Sequence, residues 1–81
     1  MIGRLEKTVL DCPDPRALAA FYAQVLGMRV NEDSPDWVVI GRAPGWRELA
    51  FQRADPWVPP SWPEPERPQQ LHLDVRVADV E

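Results

Sequence analysis

Polar side chains alternate with apolar ones in three parts of the sequence, near residues 7–12, 48–53 and 70–77. Side chains two residues apart lie on the same face of a β-strand, so each segment is predicted to present one polar face. These faces carry groups that can bind metals, move protons or hold charged ligands: Lys7, Asp11, Glu48, Gln52, His72, Asp74 and Arg76. They could line a binding cavity, or they could form the solvated face of an antiparallel sheet.

Carboxylates and a histidine are side chains that can bind a divalent metal ion, and the set contains both, with Glu48 and His72 among them. A catalytic metal normally has about three protein ligands and one open position. Lys7 is a cation at neutral pH and a poor ligand, but its ammonium could pair with Glu48 in place of a metal. A single histidine is more often a hydrogen-bonded structural residue than a ligand. The sequence therefore leaves a metal site and a purely structural role as alternatives.

The sequence contains no other pattern typical of an active site. It has no glycine-rich phosphate loop, no pair of cysteines at CxxC spacing and no Ser/His/Asp arrangement. Cys12 closes a strand on its apolar side, where we expect a small buried hydrophobe rather than a nucleophile.

The element best indicated by the sequence is a helix over Arg16–Leu26. Asp14 is a natural N-cap and Pro15 suits the first helical position, while Gly27 can end the helix with a positive φ. One apolar stripe at helical spacing is predicted to face the core, formed by Leu18, Phe21, Tyr22 and Val25.

Strands are predicted on both sides of this helix, which makes the chain α+β. Alternation and turn residues place them at Leu5–Cys12, Met28–Glu32, Trp37–Ile40, Glu48–Arg53 and Gln70–Val77. The order of elements in residues 1–53 is therefore β-α-β-β-β, and residues 70–81 begin with one further strand.

Residues 54–69 connect these two parts and contain six of the ten prolines. Prolines exclude helix and central strand, so an extended segment is expected. We favour a linker whose tryptophans, Trp57 and Trp62, cover an edge of the sheet. The alternative is a binding or domain-contact loop, because large aromatics in a stiff segment bury much area at low entropy cost.

Composition limits the class of protein. A chain of 81 residues has room for one small domain, and its single cysteine forms no internal disulfide and fits a reducing cytoplasm. The net charge of −4 with scattered basic residues argues against nucleic-acid binding. No apolar run has the length of a membrane helix or of a signal-peptide core, so a cytoplasmic protein without a membrane partner is expected.

Several sequence runs resemble the glyoxalase/bleomycin-resistance/dioxygenase (vicinal oxygen chelate) superfamily, in particular its glyoxalase-like subgroup. The opening run KTVLDCPD is followed by an FY pair and by VLGM, and the later runs are ELAFQ and HLDVRVAD. The resemblance covers one βαβββ module, residues 1–53, and the first strand of a second, truncated module in residues 70–81.

This resemblance implies two modules that enclose a cavity, where metal-dependent members hold a divalent ion. Glu48 and His72 match two ligand positions, Lys7 stands where a first-strand histidine is expected, and the fourth ligand would come from a later strand. The remaining residues expected to line the cavity or bind substrate are Lys7, Asp11, Gln52, Asp74, Arg76 and Trp57.

Three functions are consistent with these features. The first is lyase, isomerase or dioxygenase chemistry with a divalent metal of unknown identity. The second is non-catalytic binding of a small aromatic or cationic molecule, as in bleomycin-resistance proteins. The third is a fragment whose main property is association with a partner chain, because a partial second module leaves an open sheet edge. We expect a homodimer in which the strand of residues 70–77 inserts into the partner or pairs with it edge to edge.

Overall fold

A computed structural model of the chain describes residues 2–61, 65–67 and 71–78. Its elements follow the predicted β-α-β-β-β order: β1 (Thr8–Cys12), α1 (Pro15–Leu26), β2 (Arg29–Asp33), β3 (Trp37–Gly41) and β4 (Leu49–Arg53). The α+β class and the βαβββ arrangement are thus confirmed. Among the described residues, no helix combines the length and the apolarity needed to cross a membrane.

Local chemistry explains where α1 begins and ends. The Asp14 carboxylate accepts a hydrogen bond of 3.2 Å from the amide of Ala17, and Pro15 occupies the first turn, where no amide hydrogen is needed. Gly27 ends the helix with a φ of 66°, a left-handed conformation that costs little without a Cβ.

The four strands form one mixed sheet in the order β1-β4-β3-β2. β1 is parallel to β4, with Leu10 opposite Phe51, whereas the β4–β3 and β3–β2 pairs are antiparallel. α1 packs on one side of this sheet, which we call the helix face. The opposite side is called the open face.

The core lies between α1 and the helix face. Val38, Ile40 and Phe51 are fully buried there, and the Tyr22 ring stacks on Phe51 with centroids 5.9 Å apart. Ala19 is also buried, because its small side chain lets the helix approach the sheet closely.

The predicted core stripe of α1 is partly wrong. Phe21 and Val25 remain 56% and 46% exposed, although Leu18 and Tyr22 do pack against the core. The residues that face the sheet are Ala19, Tyr22, Ala23 and Leu26. This set has the same i, i+3, i+4, i+7 spacing, rotated by one residue, so periodicity alone cannot choose between the two.

The predicted fifth strand is not part of the sheet. Gln70 lies outside the described residues, and residues 71–77 have no strand pairing in the described part of the chain. A strand needs a neighbouring backbone to bond, and none of the described strand pairs includes this segment. Leu73 nevertheless packs against the core cluster. That residues 70–81 begin a second module stays a prediction.

The proline-rich segment has neither helix nor strand at its described residues, 54–61 and 65–67, which agrees with its composition. Trp62 lies outside the described residues. Trp57 is described, and 39% of its surface is exposed.

Candidate functional site

The open face brings together four of the residues predicted to line a site. Leu10, Cys12, Leu49 and Phe51 point to the helix, so the alternating residues of β1 and β4 lie on the open face. Asp11 is in register with Gln52, and just before the two strands Lys7 lies beside Glu48, whose carbonyl accepts the amide of Thr8 at 3.2 Å. His72, Asp74 and Arg76 belong to the segment outside the sheet.

Lys7 extends its side chain along the open face towards β3. Its ammonium lies 5.8 Å from the centroid of the Trp37 ring and 3.4 Å from a carboxylate oxygen of Glu6. Only 12% of the Lys7 side chain is exposed. Trp37 is in register with Gln52, so the Lys7 side chain passes beside the central pair Val39 and Ala50, both of which are fully buried.

Glu48 is held by Arg42 rather than by Lys7. Its two carboxylate oxygens accept hydrogen bonds from the Arg42 amide at 2.8 Å and from Arg42 Nε at 2.9 Å. Burial alone would raise the pKa of Glu48, but the hydrogen bonds and charge of Arg42 outweigh it and hold the pKa below its ordinary value. The Lys7–Glu48 ion pair that the sequence allowed is therefore not formed, because Lys7 pairs with Glu6 and Glu48 pairs with Arg42.

His72 and Asp74 form a separate, exposed pair. Nε2 of His72 lies 3.4 Å from Oδ1 of Asp74, and the two side chains are 65% and 93% exposed. Water competes strongly with a contact of this kind, so it contributes little to positioning either group.

The described residues do not by themselves form a metal site. They contain no group of three or more His, Cys, Asp or Glu side chains placed to hold an ion. Glu48 offers a carboxylate whose oxygens are already hydrogen-bonded, and His72 lies in a different part of the chain. A metal held by these two residues would need further ligands from elsewhere.

Two charged residues on the open face, Glu32 and Arg47, were missed by the sequence prediction. A β-bulge interrupts the pairing of β2 with β3: Val30 is opposite Ile40, but Glu32, not Asn31, is opposite Val39. The extra residue moves Glu32 to the open face, where uninterrupted alternation would have placed Asn31. No residue in this run signals a bulge, so alternation alone could not have located Glu32.

Asn31, the extra residue of the bulge, anchors the β3–β4 loop (residues 42–48). Its side-chain amide donates to the carbonyls of Ala43 at 2.9 Å and Trp46 at 2.7 Å. At Gly41 the loop comes so close that a Cβ would lie 2.3 Å from the Trp46 carbonyl oxygen, so only glycine fits there. These contacts fix the loop that carries Arg47.

Arg47 links two carboxylates at the edge of the open face. Its Nε donates to Glu32, and its Nη1 donates to Glu6 at 2.6 Å. Trp37 Nε1 also donates to Glu32, at 3.1 Å. The hydrogen bond from Arg47, followed by that from Trp37, lowers the pKa of Glu32, while the carboxylate of Glu32 raises the pKa of Arg47.

The open face therefore presents an indole ring surrounded by a balanced set of charges. Lys7 and Arg47 supply two cations, and Glu6 and Glu32 supply two carboxylates. Such a site can stack a planar group on Trp37 and orient it with hydrogen bonds.

One further predicted residue, Trp57, lies at the edge of the sheet, where Asp11 of β1 is also found. They border a groove of about 350 Å³ at the carboxyl end of β1 and the start of α1. Trp57 therefore lines this edge groove and not the open face, and residues of α1 form part of the groove's wall.

The β-α-β-β-β arrangement fits a module of the vicinal oxygen chelate superfamily. A family model for the glyoxalase-like domain matches residues 7–81, and the chain belongs to that family. No curated protein and no solved structure shows a significant match to it.

Proposed function

We propose that this glyoxalase-like domain binds a small aromatic molecule on the open face of its sheet, in a cavity closed by a second module. The observation that carries this proposal is the Trp37 indole with the Lys7 ammonium 5.8 Å from its centroid. That distance is near the limit of a cation–π contact, so a planar ligand that takes the place of the Lys7 ammonium over the ring displaces only a weak contact with the ring.

The polar groups around Trp37 would orient the ligand. Binding sites for small molecules combine apolar walls with a few well-placed polar groups. Here the Trp37 indole supplies the apolar wall, and Glu32 and Arg47 supply an acceptor and a donor that are already fixed by each other.

A second module is part of the proposal because one sheet face encloses a ligand poorly. Small-molecule sites usually bury most of the ligand surface. Within the described residues β1 is an edge strand whose outer side is unpaired, and such edges favour pairing with another strand. A second copy of the chain is the partner we expect. Light scattering at tens of micromolar should then give the mass of a dimer, and a monomer would contradict this part of the proposal.

Calorimetric titration with a panel of neutral, anionic and cationic two-ring aromatics tests the binding site. We expect Trp37→Leu to weaken the best binder by about tenfold or more, since aromatic contacts of this kind contribute about 1 kcal/mol and the ring's area is lost as well. Trp46→Leu is the matched control, because Trp46 is 49% exposed and lies over Arg42 on the β3–β4 loop.

Circular dichroism of both variants would show that they keep the fold. Equal loss of affinity in Trp37→Leu and Trp46→Leu would contradict a site at Trp37, as would a panel in which no compound binds.

The alternative function is metal-dependent lyase, isomerase or dioxygenase chemistry. Its support is that Glu48 and His72 are both present and that the His72 imidazole is exposed to solvent. Metal analysis of the purified protein tests it, with His72→Ala as the variant because an exposed side chain can be removed without harm to the fold. A stoichiometric divalent ion that is lost in His72→Ala would favour this function over metal-free binding.

A further inference from the structure

Lys7 is the charged group of the open face whose hydrogen-bonding capacity is least used. Its ammonium can donate three hydrogen bonds. Among the described residues its ion-pair contact is with Glu6 at 3.4 Å, and the centroid of the Trp37 ring lies at the outer limit of a cation–π contact. Only 12% of the Lys7 side chain is exposed, so its stem has little rotational freedom left to lose when a ligand binds. The ammonium is therefore a cation in a fixed position with donors to spare.

The other charges around Trp37 are already engaged with one another. Arg47 donates from Nε and Nη2 to Glu32, and from Nη1 to Glu6 at 2.6 Å. Glu32 also accepts from Trp37 Nε1 at 3.1 Å. New hydrogen bonds at Arg47 or Glu32 would compete with these existing ones. The donors of Lys7 are the ones that a ligand can use with the smallest loss elsewhere.

A cationic donor of this kind favours an anionic acceptor on the ligand. Hydrogen bonds between an ammonium and a carboxylate are roughly twice as strong as those between neutral groups. A ligand carboxylate would take the place of Glu6 at Lys7, because Glu6 is 67% exposed and its shorter hydrogen bond is the one from Arg47. Glu6 thus keeps a cationic partner when it releases Lys7. A cationic ligand, in contrast, would meet Lys7 as a like charge.

We propose that the ligand of the open face is an aromatic carboxylate, whose ring stacks on Trp37 and whose carboxylate pairs with Lys7. This inference rests on the function proposed above, a small aromatic ligand at Trp37, and adds the ligand's charge class. The Lys7 ammonium lies 5.8 Å from the ring centroid, which is short enough for one compact molecule to contact both groups. The indole supplies the stacking surface, and the ammonium distinguishes acids from neutral and cationic aromatics.

Calorimetric titration of the full chain at neutral pH tests the charge class. The three probes are naphthoate, naphthamide and naphthylmethylammonium with the same ring position substituted, so that they differ mainly in charge. We expect naphthoate to bind about tenfold more tightly than naphthamide, because its bond to Lys7 joins two charged groups. The ammonium probe should bind most weakly. The affinity of naphthoate should fall as salt is raised, since part of the attraction is electrostatic.

Variants of Lys7 assign the preference to this side chain. Lys7→Met removes the ammonium and keeps an unbranched stem, so naphthoate should fall to the affinity of naphthamide. Lys7→Arg keeps the charge and should keep the preference for the acid. Arg53→Met is the matched control: it also removes one cation, but Arg53 is opposite Cys12 and so belongs to the alternation of the helix face, and its side chain is 51% exposed. It should change the naphthoate preference by less than about twofold.

Lys7 is the only lysine of the chain, so its contact with a ligand can also be observed directly. Reductive methylation with isotope-labelled formaldehyde places a reporter on its nitrogen and keeps the positive charge. Naphthoate should shift the methyl resonance of Lys7 in the nuclear magnetic resonance spectrum, and the shift should be lost in Trp37→Leu.

Two outcomes would overturn this inference and leave the open-face function in place. The first is equal affinity for naphthoate and naphthamide, with both weakened in Trp37→Leu. The second is an equal effect of Lys7→Met and Arg53→Met on naphthoate binding. If Trp37→Leu binds all three probes as the wild type does, the open-face function itself fails, and this inference fails with it.

Discussion

Replacing Asn31 with alanine should destabilise the fold through the β3–β4 loop. The Asn31 side chain donates hydrogen bonds of 2.9 and 2.7 Å to the carbonyls of Ala43 and Trp46. Alanine has no donor, so both carbonyl oxygens lose this partner. The loop then loses one of the contacts that hold Arg47 near Glu32.

The size of the effect follows from these two bonds. A typical hydrogen bond contributes about 1 kcal/mol net to stability, which gives about 2 kcal/mol for the pair. The bond to Trp46 is exposed, so water can replace part of it, and the expected loss in the free energy of unfolding is about 1–2 kcal/mol. With an m-value of about 1 kcal/mol/M for a small protein in urea, the midpoint should fall by about 1–2 M.

Urea denaturation followed by circular dichroism measures this change. Asn31→Asp should cost at least as much at neutral pH, because a carboxylate would face two carbonyl oxygens. Gln24→Ala is the control, since Gln24 is an exposed residue of α1 where alanine is well tolerated. A midpoint for Asn31→Ala within about 0.3 M of the wild type would refute the reasoning that the bulge residue anchors the loop.

Three further outcomes are expected. The hydrogen bond from Arg47 lowers the pKa of Glu32 in the folded state. The stability that ionised Glu32 contributes is therefore complete above the unfolded pKa of 4.5 and is lost as the pH falls through the lower folded pKa. Glu32→Gln should lack that part of the acid dependence of the urea midpoint. Phe51→Ala should lower the free energy of unfolding by about 3–5 kcal/mol, because the Phe51 ring is fully buried, whereas Phe21→Ala should lower it by less than about 1 kcal/mol. Similar losses in the two variants, measured by thermal or urea unfolding, would contradict the observed orientation of α1. Burial raises the pKa of the Cys12 thiol, so Ellman's reagent should modify it much more slowly in the native protein than in urea, and rapid native modification would contradict its burial.

The fold was largely predictable from local patterns. Asp14, Pro15 and Gly27 mark the ends of α1, and β-branched and apolar runs mark β3 and β4. The predicted fifth strand was not found as such, because strand pairing depends on a neighbouring backbone and not on alternation within the segment.

The candidate site was predictable only in part. Alternation correctly placed Lys7, Asp11, Glu48 and Gln52 on one face, since side chains of a regular strand change sides at every residue. It did not reveal their partners: Glu48 binds Arg42 and Lys7 reaches Trp37, and both contacts depend on how the loop and the neighbouring strand are placed.

The sequence by itself determined the order of the elements, the ends of the helix and the polar character of β1 and β4, because caps, turns and side-chain periodicity act over a few residues. The tertiary structure decided which stripe of α1 faces the sheet, since Phe21 and Ala19 belong to two stripes with the same spacing. It also decided that Glu32 lies on the open face, because a one-residue bulge at Asn31 reverses the alternation of β2 against β3. The charged side chains around Trp37 therefore come together only when the strands are paired.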